Sequence, residues 1–190
     1  MTVLPIRIFP DEVLRAECEP VEEFDDALRR LVADMLETVH AAPGVGLAAP
    51  QVGVTQQVMV VDLSVGEDPS EVHVFVNPEI VEEEGSVSDF EGCLSIPGMN
   101  EKVDRPQRIK VRARDLEGET FELEADEWLA RAICHETDHL HGVLFVDRLR
   151  GLRREKARRQ LRRMVSEREE ETAGVSTGAE TAGVEKGMGA

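Results

Sequence analysis

Residues 126–140 read D-E-W-L-A-R-A-I-C-H-E-T-D-H-L, and they decide the reading of the whole chain. Trp128, Leu129, Ala132, Ile133, Glu136, His139 and Leu140 fall on one broad face at three- and four-residue intervals, and two acids, Asp126 and Glu127, open the run. That spacing predicts a helix beginning near Asp126, whose dipole favours carboxylates in the first turn. On a helix, His135 and His139 are rotated by only ~40° and raised by ~6 Å, so both imidazoles can reach one metal ion. Glu136 completes an H-E-x-x-H pattern, in which the glutamate takes a proton from metal-activated water and is not itself a ligand. The alternative is two histidines at that spacing by chance, capping the helix or pairing with carboxylates. Asp138 is turned away from the ligand pair and is expected to anchor the helix or orient another group; His141 faces elsewhere and reads as solvated. Cys134 immediately precedes His135, and adjacent helical residues diverge by ~100°, so its thiol is expected in packing.

Upstream, Phe24, Leu28, Leu31, Val32, Met35, Leu36 and Val39 form another apolar helical face, ending before Pro43. Segments 57–62 and 72–77 are β-branched and apolar. Ile109, Val111 and Ala113 alternate with Lys110, Arg112 and Arg114, and after a turn at 115–118 Phe121 and Leu123 alternate with Glu122 and Glu124. These read as strands, the last two forming a hairpin. The expected fold is α+β: antiparallel strands and hairpins around a central H-E-x-x-H helix, with an N-terminal helix and a C-terminal basic helix.

The 190 residues are 41% hydrophobic and 32% charged, enough for one packed core and unlike a disordered or collagen-like chain. Lys and Arg number 22 against 39 Asp and Glu, a net charge of -17, so any nucleic-acid or anionic-membrane contact needs a local basic patch. Residues 148–168 are such a patch. They carry net +8, between -21 over residues 1–147 and -4 over residues 169–190. The expected organisation is a catalytic domain over 1–147, a basic helix over 148–168 and a disordered acidic tail over 169–190, where T-A-G-V occurs twice. The uncharged stretch 38–61 contains Pro43, Pro50, three glycines and three glutamines, so no membrane span is expected there. Pro5 and Arg7 interrupt any secretory signal, and three cysteines suit no disulfide framework, so a cytoplasmic location is expected.

Two histidines and a water leave one metal position open, and no G-x-x-H extension follows the helix motif. Cys93 is the best candidate for it, because it lies in E-G-C-L-S-I-P-G, whose glycines permit a shaped loop that presents a thiolate. The alternative is a buried thiol. Cys18, in an acidic stretch, reads as structural. Residues 42–53, A-P-G-V-G-L-A-A-P-Q-V-G, lack both the third glycine of a dinucleotide fingerprint and the Lys-Ser/Thr of a P-loop. Gly44 and Gly46 there can let a substrate backbone lie close, and the Gln51 amide can face a developing oxyanion.

Taken together and in this order, G-V-G-L-A-A-P-Q, E-G-C-L-S and H-E-T-D-H-L resemble the three signature motifs of bacterial peptide deformylases, over roughly residues 3–165. The resemblance implies a divalent iron held by Cys93, His135 and His139, replaceable by zinc, nickel or cobalt. It also implies removal of the formyl group from N-formylmethionine of nascent polypeptides, with release of formate. Glu136 would take the proton of the attacking water and pass it to the leaving amine, while Gln51 and the Leu94 N–H face the formyl oxygen. The peptide would lie as an added strand along Val45, Gly46 and Gly92, with the methionine side chain near Val45, Trp128 and Ala132. Glu91 and Arg105 would brace the cysteine loop. Pro50 stands where many relatives have Thr, and Asn100 where many have Arg or Tyr, which touches selectivity beyond methionine. The family's C-terminal helix implies a ribosome contact near the exit for the basic segment, whose plain alternative is a solvated helix face. The competing functions are an H-E-x-x-H zinc endopeptidase, which would call for His or Glu as third ligand, and a ribosome-bound homologue without catalysis.

Overall fold

The computed structural model describes residues 2–178. Along the described residues run seven strands, β1 (Gly46–Ala48), β2 (Val58–Asp62), β3 (Val72–Glu84), β4 (Val87–Cys93), β5 (Ile96–Arg105), β6 (Arg108–Arg114) and β7 (Thr120–Asp126). Three helices accompany them: α1 (Asp26–His40), α2 (Glu127–Leu140) and α3 (Gly151–Gly178). One antiparallel sheet has the order β1-β2-β3-β6-β7, and β4 and β5 form a separate antiparallel ribbon. The fold is α+β, with antiparallel sheets and three helices among the described residues.

Strand β2 shows how the main sheet is covered. It is buried at every position, and its alternation divides it: Val58 and Val60 join Leu28, Val32, Met35 and Val39 of α1, whereas Met59 and Val61 join Ala130, Ile133 and Leu140 of α2. Successive strand residues point to opposite faces, so α1 and α2 lie on opposite faces of the sheet. Asp25 starts α1 by accepting from the N–H groups of Ala27 and Leu28 at 2.9 and 3.0 Å, a cap worth about 1 kcal/mol. Every residue of α2 from Ala130 to Leu140 is buried, because its second side meets the β4–β5 ribbon.

Four expectations needed revision. Strand β3 runs on to Glu84, past the 72–77 segment, through irregularities on either side of Glu79 and Ile80 that accommodate Pro78 in its pairing with β6. Cys93 sits at the end of a strand, β4, with only Leu94 and Ser95 between it and β5, rather than within a longer shaped loop. This strand escaped the apolar alternation because its pattern is inverted: Phe90 points to solvent while Glu91 is buried. Helix α3 begins at Gly151 and reaches Gly178, so residues 169–178, expected as disordered tail, continue it; residues 179–190 of that tail lie outside the described residues. Nor does the basic segment stand apart from the rest: Leu149, Ala157 and Leu161 are buried with Leu14, Ile96, Met99, Val103 and Phe145.

Candidate metal centre

The helical spacing of residues 135 and 139 and the end of β4 bring three donors to one point. Ligand atoms of Cys93, His135 and His139 all lie within 4.8 Å of one another. The Cys93 Sγ is 3.2 Å from His139 Nε2. His135 directs Nδ1 to Glu91 Oε2 at 3.0 Å, which leaves Nε2 as its ligand atom. His139 is fully buried, and burial together with the neighbouring His135 holds its pKa well below the ordinary imidazole value, the neutral form in which histidine binds metals. One thiolate and two imidazoles in this arrangement fit a divalent first-row transition metal, with a fourth position open.

Glu136 lies beside these three candidate donors. It is 5% exposed, and its Oε2 is one of two buried side-chain polar atoms without a hydrogen-bond partner among the described residues. Burial pushes its pKa up to about 7. Gln51, from the turn after β1, is fixed by its own Oε1, which accepts from the Ala48 N–H at 2.8 Å. Its Nε2 donates to Ser95 Oγ at 3.3 Å and lies 3.7 Å from Cys93 Sγ, so the amide faces the ligand cluster. The Leu94 backbone follows directly from Cys93.

Packing within the chain also calls for glycine at these positions. A Cβ at Gly46 would lie 2.6 Å from Glu136 Oε1, one at Gly92 would lie 2.3 Å from Asn100 Oδ1, and one at Gly44 would lie 3.0 Å from Leu94 Cδ1. Side chains of this chain already occupy that space, so the glycines allow strand β1 and the end of β4 to close around the glutamate and the cysteine turn. Val45 packs at the margin of the α2 cluster and Ala132 is buried one turn before His135. Trp128 sits seven residues before His135 in the first turn of α2 and is 56% exposed, outside the buried clusters.

Beneath the three candidate donors lies a buried ionic network. Arg105 donates to both oxygens of Glu91 at 2.8 and 2.9 Å and to Asp138 at 2.7 Å, and Arg131 donates to Glu91 at 2.7 Å and to the Val103 carbonyl at 3.0 Å. Arg148 reaches Asp138 from outside. Burial opposes ionisation of Glu91, but hydrogen bonds from Arg105 and His135 overcome it and hold its pKa at about 2. The network therefore fixes a carboxylate against His135, the arrangement that sets a ligand's ring orientation and tautomer. Asp138 has the anchoring role its helical position implied. Arg131 and Arg148 escaped sequence reading, and the one local signal was that Arg131 lies four residues before His135. Cys18 and Cys134 are buried, with thiol pKa values pushed by burial to about 11 and about 12, as inert structural thiols. His141 is exposed and pairs with Glu17 at 2.6 Å.

Comparison with known proteins identifies the family. The family model for polypeptide deformylase matches residues 3–155. The chain is 48% identical over 164 residues to a peptide deformylase of Acidobacterium capsulatum, covering 86% of this chain and 96% of that one. It is 52% identical over 148 residues to one from Clostridium botulinum, covering 78% and 97%. Among solved structures, a peptide deformylase from Legionella pneumophila superposes with a TM-score of 0.80 at 43% identity, covering 88% of this chain and 98% of that one. A plant peptide deformylase superposes at 0.85 and 39% identity, covering 91% and 95%.

Proposed function

The chain belongs to the peptide deformylase family, metal-dependent hydrolases that remove the formyl group from nascent peptides, and we propose that Cys93, His135, His139, Glu136, Gln51 and Leu94 carry that reaction in it. The supporting observation is the convergence of the three donors within 4.8 Å beside a buried carboxyl oxygen that has no partner. Cys93, His135 and His139 would hold a divalent ion, Fe2+ in the cell and replaceable by Zn2+, Ni2+ or Co2+, which would supply Lewis-acid chemistry to a bound water and to the formyl carbonyl. Glu136 Oε2 accepts the proton of the attacking water and delivers it to the amine nitrogen as the formyl C–N bond breaks. The Gln51 amide and the Leu94 N–H donate to the formyl oxygen as it gains negative charge, each worth roughly 3–4 kcal/mol at the transition state.

Strand β1 ends the order of the main sheet, so a formylmethionyl peptide can add beside it along Val45 and Gly46 and reach Gly92 opposite. Val45, Ala132 and the exposed Trp128 flank the methionine side chain. We assign the catalytic unit to residues 1–147 and a cytoplasmic location to the chain; among the described residues no helix is long and apolar enough to cross a membrane. The endopeptidase reading is disfavoured by family membership and by Cys93, rather than His or Glu, standing beside the two histidines; the inactive-homologue reading is disfavoured because Glu136, Gln51 and all three candidate donors are present. Metal-analysed protein prepared without oxygen should release formate from a formyl-Met peptide and leave its internal bonds intact. Internal fragments, or no formate from metal-loaded protein, would overturn the reading.

The basic face of α3 supports a ribosome contact. Ala157 and Leu161 seat the helix, whereas Arg153, Arg154, Arg158, Arg159, Arg162 and Arg163 remain exposed. Neutralising these six should weaken co-sedimentation with ribosomes and flatten its salt dependence, since fewer counterions are released. Turnover of a short free formyl peptide should persist. Unchanged sedimentation over several salt concentrations would make the helix a solvated face.

A further inference from the structure

Between α1 and β1 the chain crosses Ala41 to Val45, a segment whose first and third residues are exposed. Its end is tightly confined: Gly44 lies against Leu94, and Gly46 directly after it lies against Glu136. The backbone there therefore has little room on the side of the Leu94 and Glu136 side chains.

One residue holds both ends of this segment. The Asp62 N–H donates to the Val45 carbonyl at 2.7 Å, extending the β1–β2 pairing by one bond. The Asp62 side chain accepts from His40 Nε2 at 2.7 Å, where His40 is the last residue of α1. Its two oxygens also accept from the Ser64 N–H at 2.9 Å, the Ser64 hydroxyl at 2.6 Å and the Gly66 N–H at 2.8 Å. Asp62 is wholly buried, so it is a rigid post, while His40 is 32% exposed. Burial opposes its charge, but the bonds from Ser64, Gly66 and His40 keep its pKa below the ordinary carboxylate value.

We infer that His40 and Asp62 form a latch that fixes the span from the end of α1 to Val45, and so sets where a peptide strand is laid against Val45 and Gly46. Both are positioning residues, acting through the backbone of residues 44–46. Given the peptide placement proposed above, on which this role rests, opening the latch costs alignment before it costs chemistry, since Glu136 and the metal donors belong to other elements.

The test compares His40→Ala with His40→Gln. Alanine is a good helix former at a partly exposed helix end, so the fold should survive, and glutamine restores a neutral N–H donor near Nε2. In His40→Ala the KM for a formyl-Met peptide should rise about 3- to 10-fold with kcat within about twofold, roughly 1 kcal/mol of lost alignment. Metal content should be unchanged, and His40→Gln should recover most of the KM. Hydrogen exchange of the Asp62 amide needs no turnover and should accelerate about tenfold or more in His40→Ala relative to amides of β3. Formate release by the unaltered protein tests the reaction itself, and the exchange measurement tests the latch apart from it. Unchanged Asp62 exchange, an unchanged KM, or a raised KM that glutamine fails to restore would overturn the latch.

Discussion

Glu136→Gln should lower turnover by roughly 100-fold or more while the metal stays bound. The carboxyl is buried beside the three donors but is not one of them, and its Oε2 has no partner among the described residues. Glutamine keeps the shape, including the contact that forces glycine at position 46, and removes only the capacity to carry a proton. Stability should not fall, because a neutral amide is easier to bury than a carboxylate. The sign of the pH dependence follows from the same burial. Without an ion, desolvation places the pKa at about 7. A divalent cation alongside favours the charged form, so the acidic limb of kcat/KM should lie below 7. Activity should be lost as pH falls through that limb, and the residual activity of the glutamine variant should lack it. Metal analysis with kcat/KM profiles of both proteins checks this. Loss of metal from the variant, or near-normal turnover with metal retained, would remove Glu136 from the proton path.

The parts of the site that were legible in the sequence are those set by local geometry. His135 and His139 are related by one turn of helix, so their convergence needed only the helix, and the helix announced itself in the apolar spacing from Trp128 to Leu140. Cys93 was singled out by the glycines around it and Gln51 by its neutral amide in a glycine-rich segment, and the structure adds a packing reason for those glycines: Glu136, Leu94 and Asn100 fill the space where side chains would stand. What remained hidden is what depends on pairing between distant segments. The family resemblance implied the Glu91–Arg105 pair, which the structure contains, but Glu91, Arg105, Arg131 and Asp138 are scattered over three elements, and nothing in a linear reading says that all four share one buried network. That network also concealed β4, because a buried glutamate and an outward phenylalanine reverse the pattern by which a strand is recognised. The reach of α3 was missed for a related reason: composition at 169–178 says polar, and a polar helix continued from a packed one looks like a tail.

Cys93→Ser should weaken metal binding by at least about 100-fold, more than is typical for loss of an outer-shell partner. Serine preserves the size and the turn between β4 and β5, but its hydroxyl does not ionise near neutral pH, so the soft anionic donor is lost from a set whose other members are imidazoles. The loss should appear in the metal content of dialysed protein, with formate release falling in proportion and partly returning in excess metal. The other two cysteines provide the control. Cys18 and Cys134 are buried with thiol pKa values near 11 and 12, and Cys134, although adjacent to His135, packs into the apolar cluster with Ile133 and Ala130. Changing either to serine buries a hydroxyl and should cost about 1–3 kcal/mol of stability if it finds no partner, while the folded protein keeps its metal. Thermal unfolding and metal analysis of the three variants separate the two effects. Retention of metal by Cys93→Ser, or its loss from folded Cys134→Ser, would mean that the helix presents a different side of itself to the ion, and the placement of all three donors would fall with it.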